Sequence, residues 1–170
     1  MGEGGKINLL IRSGIGYDVH ALSKGEKLVV GGVRIPSEKG SVGHSDGDAL
    51  THSIVDALLG AAALGDIGLF FPSHEKEWKG VNSIDFVCHA VGKISEAGFK
   101  INNLDSTVIL QKPKIEKFIP LIRKTLSEAI EIKKSQISIK ATTTDFLGFV
   151  GDSSGWASQT IATLYKNKRL

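Results

Sequence analysis

The 170-residue sequence has one cysteine, Cys88. A lone cysteine excludes an internal disulfide and fits a reducing compartment, and Cys88 reads as a packing residue with no basic partner in view. Strong charge of either sign is also missing. Twenty-one Lys and Arg against 18 Asp and Glu leave a formal net charge of +3. That is too slight and too scattered for nucleic acid, although it suits an anionic small molecule. No apolar run approaches the ~20 residues of a membrane span. The opening MGEGGKINLL lacks a basic segment followed by a long apolar core, so it does not read as a signal peptide. These absences predict no nucleic-acid partner, no membrane partner and a cytoplasmic location. The alternative location is a plastid, reached by a transit peptide since removed. Residues 1–10 read as a flexible tail or expression remnant, and residues 11–170 as one domain of ordinary size. With 41% hydrophobic and 23% charged residues the chain can bury a sizeable core.

A more local absence lies between residues 43 and 72, which contain no lysine, arginine or glutamate. The same stretch holds two histidines, His44 and His52, and four aspartates, Asp46, Asp48, Asp56 and Asp66. A helix over 48–64 places Leu50, Ile54, Ala57, Leu58, Ala61 and Leu64 on one stripe. Asp48, His52 and Asp56 recur every four residues and line up on another. The spacing predicts a helix that packs on one side and presents carboxylate and imidazole on the other.

Around it, Ile7 to His20 reads as a strand running into a functional end. KLVVGGVRIP (27–36) is two short apolar runs broken at Gly31-Gly32, a bend or hairpin. SEKGSVGHSDG (37–47) reads as a loop. A second helix starts at Asn82 or Ser83 and stops before Gly98, a left-handed stop. Lys100 to Gln111 is a strand, and Ile115 to Ile132 a third helix with Pro120 in its first turns. QISIKATTT and GWASQTIATLYK are closing strands. The pattern is α/β or α+β: a two-layer single domain with a mixed four-stranded sheet and helices on one face.

Asp18 and His20 are two apart on a strand, so their side chains leave from the same face. With His52 they form an Asp-His-His set suited to Zn²⁺ with a fourth position open. The alternative for Asp18 and His20 is a pair of ordinary surface polar groups or a satisfied core histidine. His44-Ser45 precedes a helix start, where an anion would meet free N–H groups; the plainer reading is a loop histidine and a capping serine. Thr142, Thr143 and Thr144 suit a strand, but followed by Asp145 they also suit a phosphate-bound Mg²⁺. Gln111-Lys112-Pro113-Lys114 is a rigid turn with two ammonium groups, either solvated or set against phosphate. Phe70-Phe71-Pro72 is core edge or substrate wall. Asp56 reads either as a partner of a metal-bound imidazole or as a solvent-facing aspartate.

Six blocks carry a resemblance: GYDVHAL (16–22), GGVRIP (31–36), HSDGDALTH (44–52), DALLGAAALGDIG (56–68), QKPK (111–114) and KATTTDFLGF (140–149). In this order and spacing the chain resembles the 2-C-methyl-D-erythritol 2,4-cyclodiphosphate synthases of the non-mevalonate isoprenoid pathway. The resemblance implies a homotrimer with active sites between subunits. It implies a phosphorus–oxygen lyase that closes 4-diphosphocytidyl-2-C-methyl-D-erythritol 2-phosphate into the cyclic diphosphate and releases CMP. Asp18, His20 and His52 are then the zinc ligands and Asp145 the magnesium (or manganese) ligand. His44 and Thr143 are the catalytic, transition-state-stabilising residues. Ser45, with His44, handles the phosphates, and Val19 is counted among the substrate-binding residues; Asp66, Ile67 and Gly68 match the ribose and methylerythritol segment. Phe71, Pro72, Ser73, His74 and Glu75 match a neighbouring substrate loop. Leu110, Gln111, Lys112, Pro113, Lys114, Ile115 and Glu116, with Ala141, Thr142 and Thr143, match the cytidine pocket, and Thr144, Phe149 and Asp152 complete the substrate set.

The chain departs from that pattern in four places. Asp145 stands where glutamate is common, Ser73 where aspartate is, Asp152 where arginine is frequent and Gln159 where glutamate is. The last pair bears on an axial cavity suggested to bind an anionic isoprenoid. Two other readings use the same residues: a zinc-dependent phosphodiesterase, and a non-catalytic trimeric module that binds CMP or CDP.

Overall fold

In the computed structural model the described residues are 9–43, 45–72, 78 and 80–167. Among the described residues seven strands are laid down: β1 (Leu9–Lys24), β2 (Leu28–Val30), β3 (Val33–Ile35), β4 (Lys39–Val42), β5 (Lys100–Ile109), β6 (Ile137–Thr142) and β7 (Gly155–Asn167). The helices are α1 (Ala49–Ala62), α2 (Ile67–Phe70), α3 (Ser83–Glu96), α4 (Ile119–Ile130) and α5 (Gly148–Gly151). The main sheet has five strands in the order β4-β1-β7-β5-β6, with β2 and β3 paired separately as a hairpin. Only the β5–β6 pairing is parallel, so the sheet is mixed. Among the described residues no helix is long and apolar enough to cross a membrane.

The expected four-stranded sheet is therefore corrected to five. The additional strand is β4, in a glycine- and serine-bearing stretch that reads as loop because its residues have weak strand propensity. Tertiary contacts override that preference. Residues 39–42 pair antiparallel with 21–24 of β1, and the buried Trp156 indole donates to Ser41 Oγ at 2.8 Å. The hairpin at Gly31-Gly32 forms as expected, both glycines having positive φ. The third helix starts later than expected, with a short 3-10 turn at Glu116–Phe118 ahead of it and Pro120 in its first turn. Cys88 is not packed away; it lies exposed on α3.

The sheet has two different faces. Along β1 and β7 the even-numbered side chains turn toward the helices, so Trp156, Ser158, Thr160, Ala162 and Leu164 are buried. The odd-numbered ones turn away, leaving Ile11 and Ile15 each 62% exposed, Tyr17 55% and Ile161 47%. The helices thus cover one face only.

Helix α1 lies directly on that inner face. Asp48 caps it, taking Thr51 N–H at 3.1 Å, Thr51 Oγ1–H at 2.7 Å and the hairpin's Gly32 N–H at 2.7 Å. Asp48 is fully buried. Burial pushes its carboxyl pKa up, against hydrogen bonds from Gly32 and Thr51. Of the expected carboxylate and imidazole stripe, His52 and Asp56 remain half-buried and Asp48 is enclosed, and the packed side is wider than expected. Ala49, Leu50, Thr51, Ser53, Ile54, Val55, Ala57, Leu58, Leu59, Ala61 and Ala62 are all buried, because α3 covers what the sheet does not. Two glycines of β1 permit so close a contact. A Cβ on Gly16 would stand 1.9 Å from the Ser53 carbonyl oxygen, and one on Gly14 would stand 2.2 Å from that of Ala57.

The clash at Gly16 is with backbone, which cannot rotate aside. Gly16→Ala should destabilise the fold by about 3 kcal/mol or more. Gly60→Ala, where nothing lies within 4 Å of the new Cβ, should raise stability by about 0.5–1 kcal/mol through helix propensity. Urea midpoints of the two variants against the parent chain check both signs.

Candidate metal and phosphate site

Strand β1 carries Asp18 and His20 on its inward face, as the period of two requires, and α1 carries His52 in its first turn. The helix-to-strand contact at Gly16 brings them together. Asp18 Oδ2 lies 3.0 Å from His20 Nε2 and 3.1 Å from His52 Nδ1, and the two inward nitrogens are 3.2 Å apart. All three residues are half-buried, and among the described residues this is the one His/Cys/Asp/Glu group compact enough to hold a metal ion.

The electrostatics follow from that crowding. Burial works against the Asp18 charge, yet hydrogen bonds from His20 and His52, with their attraction, together hold its pKa below the usual carboxylate range. For His20 burial lowers the pKa, but the hydrogen bond and charge of Asp18 outweigh it and the net direction is up. The donor set fits a divalent cation on a further observation. His20 Nδ1 faces the Val42 carbonyl oxygen at 3.1 Å. A carbonyl can only accept, so Nδ1 carries the N–H; Nε2 then shares a proton with Asp18 when the ring is charged and offers its lone pair to a cation when the ring is neutral. One carboxylate and two imidazoles are a familiar zinc donor set.

His20 and His52 open into a cavity of about 380 Å³ that Val42, Gly43, Ser45, Ile67, Gly68, Phe71, Trp78 and Phe86 also line. Phe71 stacks on Phe86 with ring centroids 4.3 Å apart, and Phe86 lies 6.0 Å from the His52 ring. Phe71 is therefore at once core edge and cavity wall, and Pro72 is half-buried beside it. Ile67 and Gly68 reach the same cavity through α2, and Asp66 precedes them in the chain. Asp66 caps that short helix by accepting Leu69 N–H at 2.9 Å. Asp56 does neither of the two things its spacing suggested. It accepts Ile67 N–H at 2.8 Å and so ties the Asp66 turn to α1. Its carboxyl pKa is raised by burial, against the Ile67 hydrogen bond.

The remaining expected residues lie elsewhere. Leu110, Pro113, Lys114, Ile115 and Glu116, with Ala141, Thr142 and Thr143, line a second cavity of about 240 Å³ that shares no residue with the first. Gln111 accepts Phe146 N–H at 3.3 Å across the loops, and Lys112 is exposed. Thr143 Oγ1 donates to Asp145 Oδ1 at 3.2 Å in an exposed turn where Asp145 has φ +49°. Thr144 Oγ1 donates to the Leu147 carbonyl. Phe149 is exposed on α5 near Gly155. Asp152 ends α5 with its pKa lowered by hydrogen bonds from Ser154. Val19 sits on β1 facing away from the cluster, 40% exposed. His44, Ser73, His74 and Glu75 fall outside the described residues.

Two contributors were missed in the sequence. Ser83, at the start of α3, reaches the cluster with its Oγ 3.0 Å from His52 Nε2, and Asp46 is joined to it through hydrogen bonds from Ser83. Thirty-one residues separate Ser83 from His52, and no spacing rule connects a helix-initiating serine to that histidine.

Comparison with known proteins gives consistent matches. The 2-C-methyl-D-erythritol 2,4-cyclodiphosphate synthase of Alkaliphilus oremlandii is 49% identical over 92% of this chain and 99% of its own. The Plasmodium falciparum IspF structure, solved as a CDP complex, superposes with a TM-score of 0.82 and 36% identity, covering 93% of this chain and 97% of that one. The bifunctional IspDF of Campylobacter jejuni superposes with a TM-score of 0.90 and 37% identity over 94% of this chain. This chain spans only 43% of that longer one. The family model described as the YgbB family matches residues 11–165. With the Asp-His-His cluster, the five-stranded sheet and these relatives in agreement, the chain belongs to the YgbB family.

Proposed function

We propose that this chain converts 4-diphosphocytidyl-2-C-methyl-D-erythritol 2-phosphate into 2-C-methyl-D-erythritol 2,4-cyclodiphosphate and CMP, the cyclodiphosphate being the product in the relatives' own name. It is an enzyme of the phosphorus–oxygen lyase type, acting in isoprenoid biosynthesis. The observation that carries the reading is the cluster of Asp18, His20 and His52 beside a cavity of about 380 Å³. In the reaction an ionised oxygen of the 2-phosphate forms a bond to the nearer phosphorus of the diphosphate. The bond from that phosphorus to the bridging oxygen breaks, and CMP leaves with the electron pair. An ionised phosphate nucleophile needs no general base. The work left to the protein is alignment and charge stabilisation.

Zn²⁺ held by Asp18, His20 and His52, with Mg²⁺ or Mn²⁺ held by Asp145, would polarise and orient the phosphorus under attack. Around them, Ser45 lies on the loop before α1 and serves the phosphates together with His44, and Thr143 offers a hydroxyl to the developing charge. Asp66, Ile67 and Gly68 hold the ribose and methylerythritol region, and Phe71, Pro72, Ser73, His74 and Glu75 are the further substrate-binding residues of this reading. The cavity from Leu110 to Glu116 with Ala141 to Thr143 takes the cytidine. A CDP complex of a relative supports a cytidylyl ligand.

A homotrimer accounts for two features together. The sheet's outer face exposes Ile11, Ile15, Tyr17 and Ile161, a row of apolar side chains that assembly would bury. The cytidine-side cavity is separate from the cluster within one chain, so a neighbouring copy would bring the two halves of the site together. The bacterial relatives suit a cytoplasmic enzyme.

Incubating the chain with the cytidylylated substrate, Zn²⁺ and Mg²⁺ and following phosphorus NMR should show the cyclic diphosphate and CMP appearing in equal amounts. A linear phosphate product would make it a phosphodiesterase, and tight CDP binding without turnover a binding module. His52→Ala or Asp18→Ala should empty the zinc position on elemental analysis and reduce kcat about a thousandfold, with the oligomer intact by sedimentation. Asp145→Ala should leave zinc content unchanged and raise the Mg²⁺ concentration needed for half-maximal rate.

A further inference from the structure

Each imidazole of the cluster turns one nitrogen inward and one outward, and the outward partner decides what the inward nitrogen can do. For His20 the partner is the Val42 carbonyl, and the assignment is immediate. For His52 the outward Nε2 has two hydroxyl neighbours, Ser83 Oγ at 3.0 Å and Ser45 Oγ at 3.1 Å. A hydroxyl both donates and accepts, so its own proton must be followed.

Ser83 is fully buried. Its hydroxyl donates to Asp46 Oδ1, and its backbone N–H donates to Asp46 Oδ2 at 3.0 Å. A carboxylate grips one residue at two points. Asp46 is itself placed by Asp48 N–H, which donates to it at 3.3 Å beside the α1 cap. With its single proton committed to Asp46, Ser83 Oγ has only lone pairs left for His52. The N–H therefore sits on Nε2, which leaves Nδ1 as the atom that can offer a lone pair to a cation beside Asp18 and His20.

We propose that Ser83, gripped by Asp46, is a positioning residue for His52. It fixes the ring's rotation and the side that carries the N–H, so that three acceptor atoms converge on one cation. The inference rests on the reading of the cluster as a metal site. It assigns the two nearby serines different work. Ser83 starts a long helix and is immobilised by Asp46. Ser45 sits half-buried in the preceding loop, its strongest contact this same Nε2. Ser45 can turn to a substrate phosphate while Ser83 keeps the ring in place.

Chelator competition gives the zinc dissociation constant of the full chain and its variants. Ser83→Ala should weaken zinc binding about 10–100-fold, and Ser83→Thr, which restores the hydroxyl, should recover most of that loss. Ser45→Ala should leave zinc affinity unchanged and raise KM. Nitrogen-15 NMR of the zinc-loaded parent chain provides a readout that needs no variant: the His52 Nε2 proton should be protected from exchange with water. Unchanged zinc affinity in Ser83→Ala, or a rapidly exchanging Nε2 proton in the parent chain, overturns the role of Ser83. A parent chain that takes up no zinc overturns the metal reading beneath it, which is a different result.

Discussion

The contact on which the site depends is backbone against backbone, where α1 rests on β1 at Gly14 and Gly16. Side chains normally hold a helix about 10 Å from a sheet; here the space for a Cβ at Gly16 is taken by the Ser53 carbonyl oxygen, 1.9 Å away. Ser53 is the neighbour of His52, and Gly16 is two residues from Asp18 and four from His20. This close approach thus lies next to the cluster along the helix and two residues from it along the strand. Four buried hydroxyls guard against sideways slip. Ser53 Oγ lies 3.1 Å from Ser158 Oγ and 2.8 Å from Thr160 Oγ1, which in turn lies 2.8 Å from Ser106 Oγ. Buried hydroxyls lose their hydrogen bonds if the helix slides, at about 1–3 kcal/mol for each one left unsatisfied.

That rigidity gives the acidic residues of this region distinct tasks. Asp48 is consumed by the cap and the hairpin and Asp56 by the Ile67 amide, while Asp66 lends one oxygen, Oδ1, to the α2 cap. Asp46 is consumed by Ser83. Asp18 alone has an oxygen turned toward two imidazoles. A carboxylate facing two nitrogen lone pairs is an arrangement that repels itself unless a cation or protons lie between. The cluster is therefore poised for positive charge, and the rest of the local polar structure is closed.

How much of this was legible varies with the physics involved. The shared face of Asp18 and His20 follows from the period of a strand, and the hairpin from Gly31-Gly32. The end of α3 follows from Gly98, which has φ +79°. These are local rules acting on local residues. What failed was non-local. Strand β4 forms from residues with weak strand propensity because β1 and Trp156 supply its partners. Helix α1 looked two-sided because its aspartates are polar, although each makes a hydrogen bond with a distant backbone amide. Ser83 carried no signal at all, since its importance arises only once α3 crosses the loop before α1. The blocks that resemble a known family supplied what periodicity could not, namely which strand meets which helix.

The division between fixed and adaptable parts follows from where each residue sits. His20, His52 and Ser83 stand on a strand and on two long helices, elements whose backbone hydrogen bonds leave little freedom. Ser45, Asp66 and Asp145 stand in loops or at the turns of one-turn helices, where the backbone has fewer internal bonds and more room to adjust. A ligand set must match a cation to within a few tenths of an ångström, whereas a diphosphate with a nucleoside on one side must enter and leave. The Asp46–Ser83 contact spans 37 residues and joins the two regimes. It anchors the loop that bears Ser45 to the helix that steadies His52, so that the loop's ends stay put while its hydroxyl is free to choose a partner.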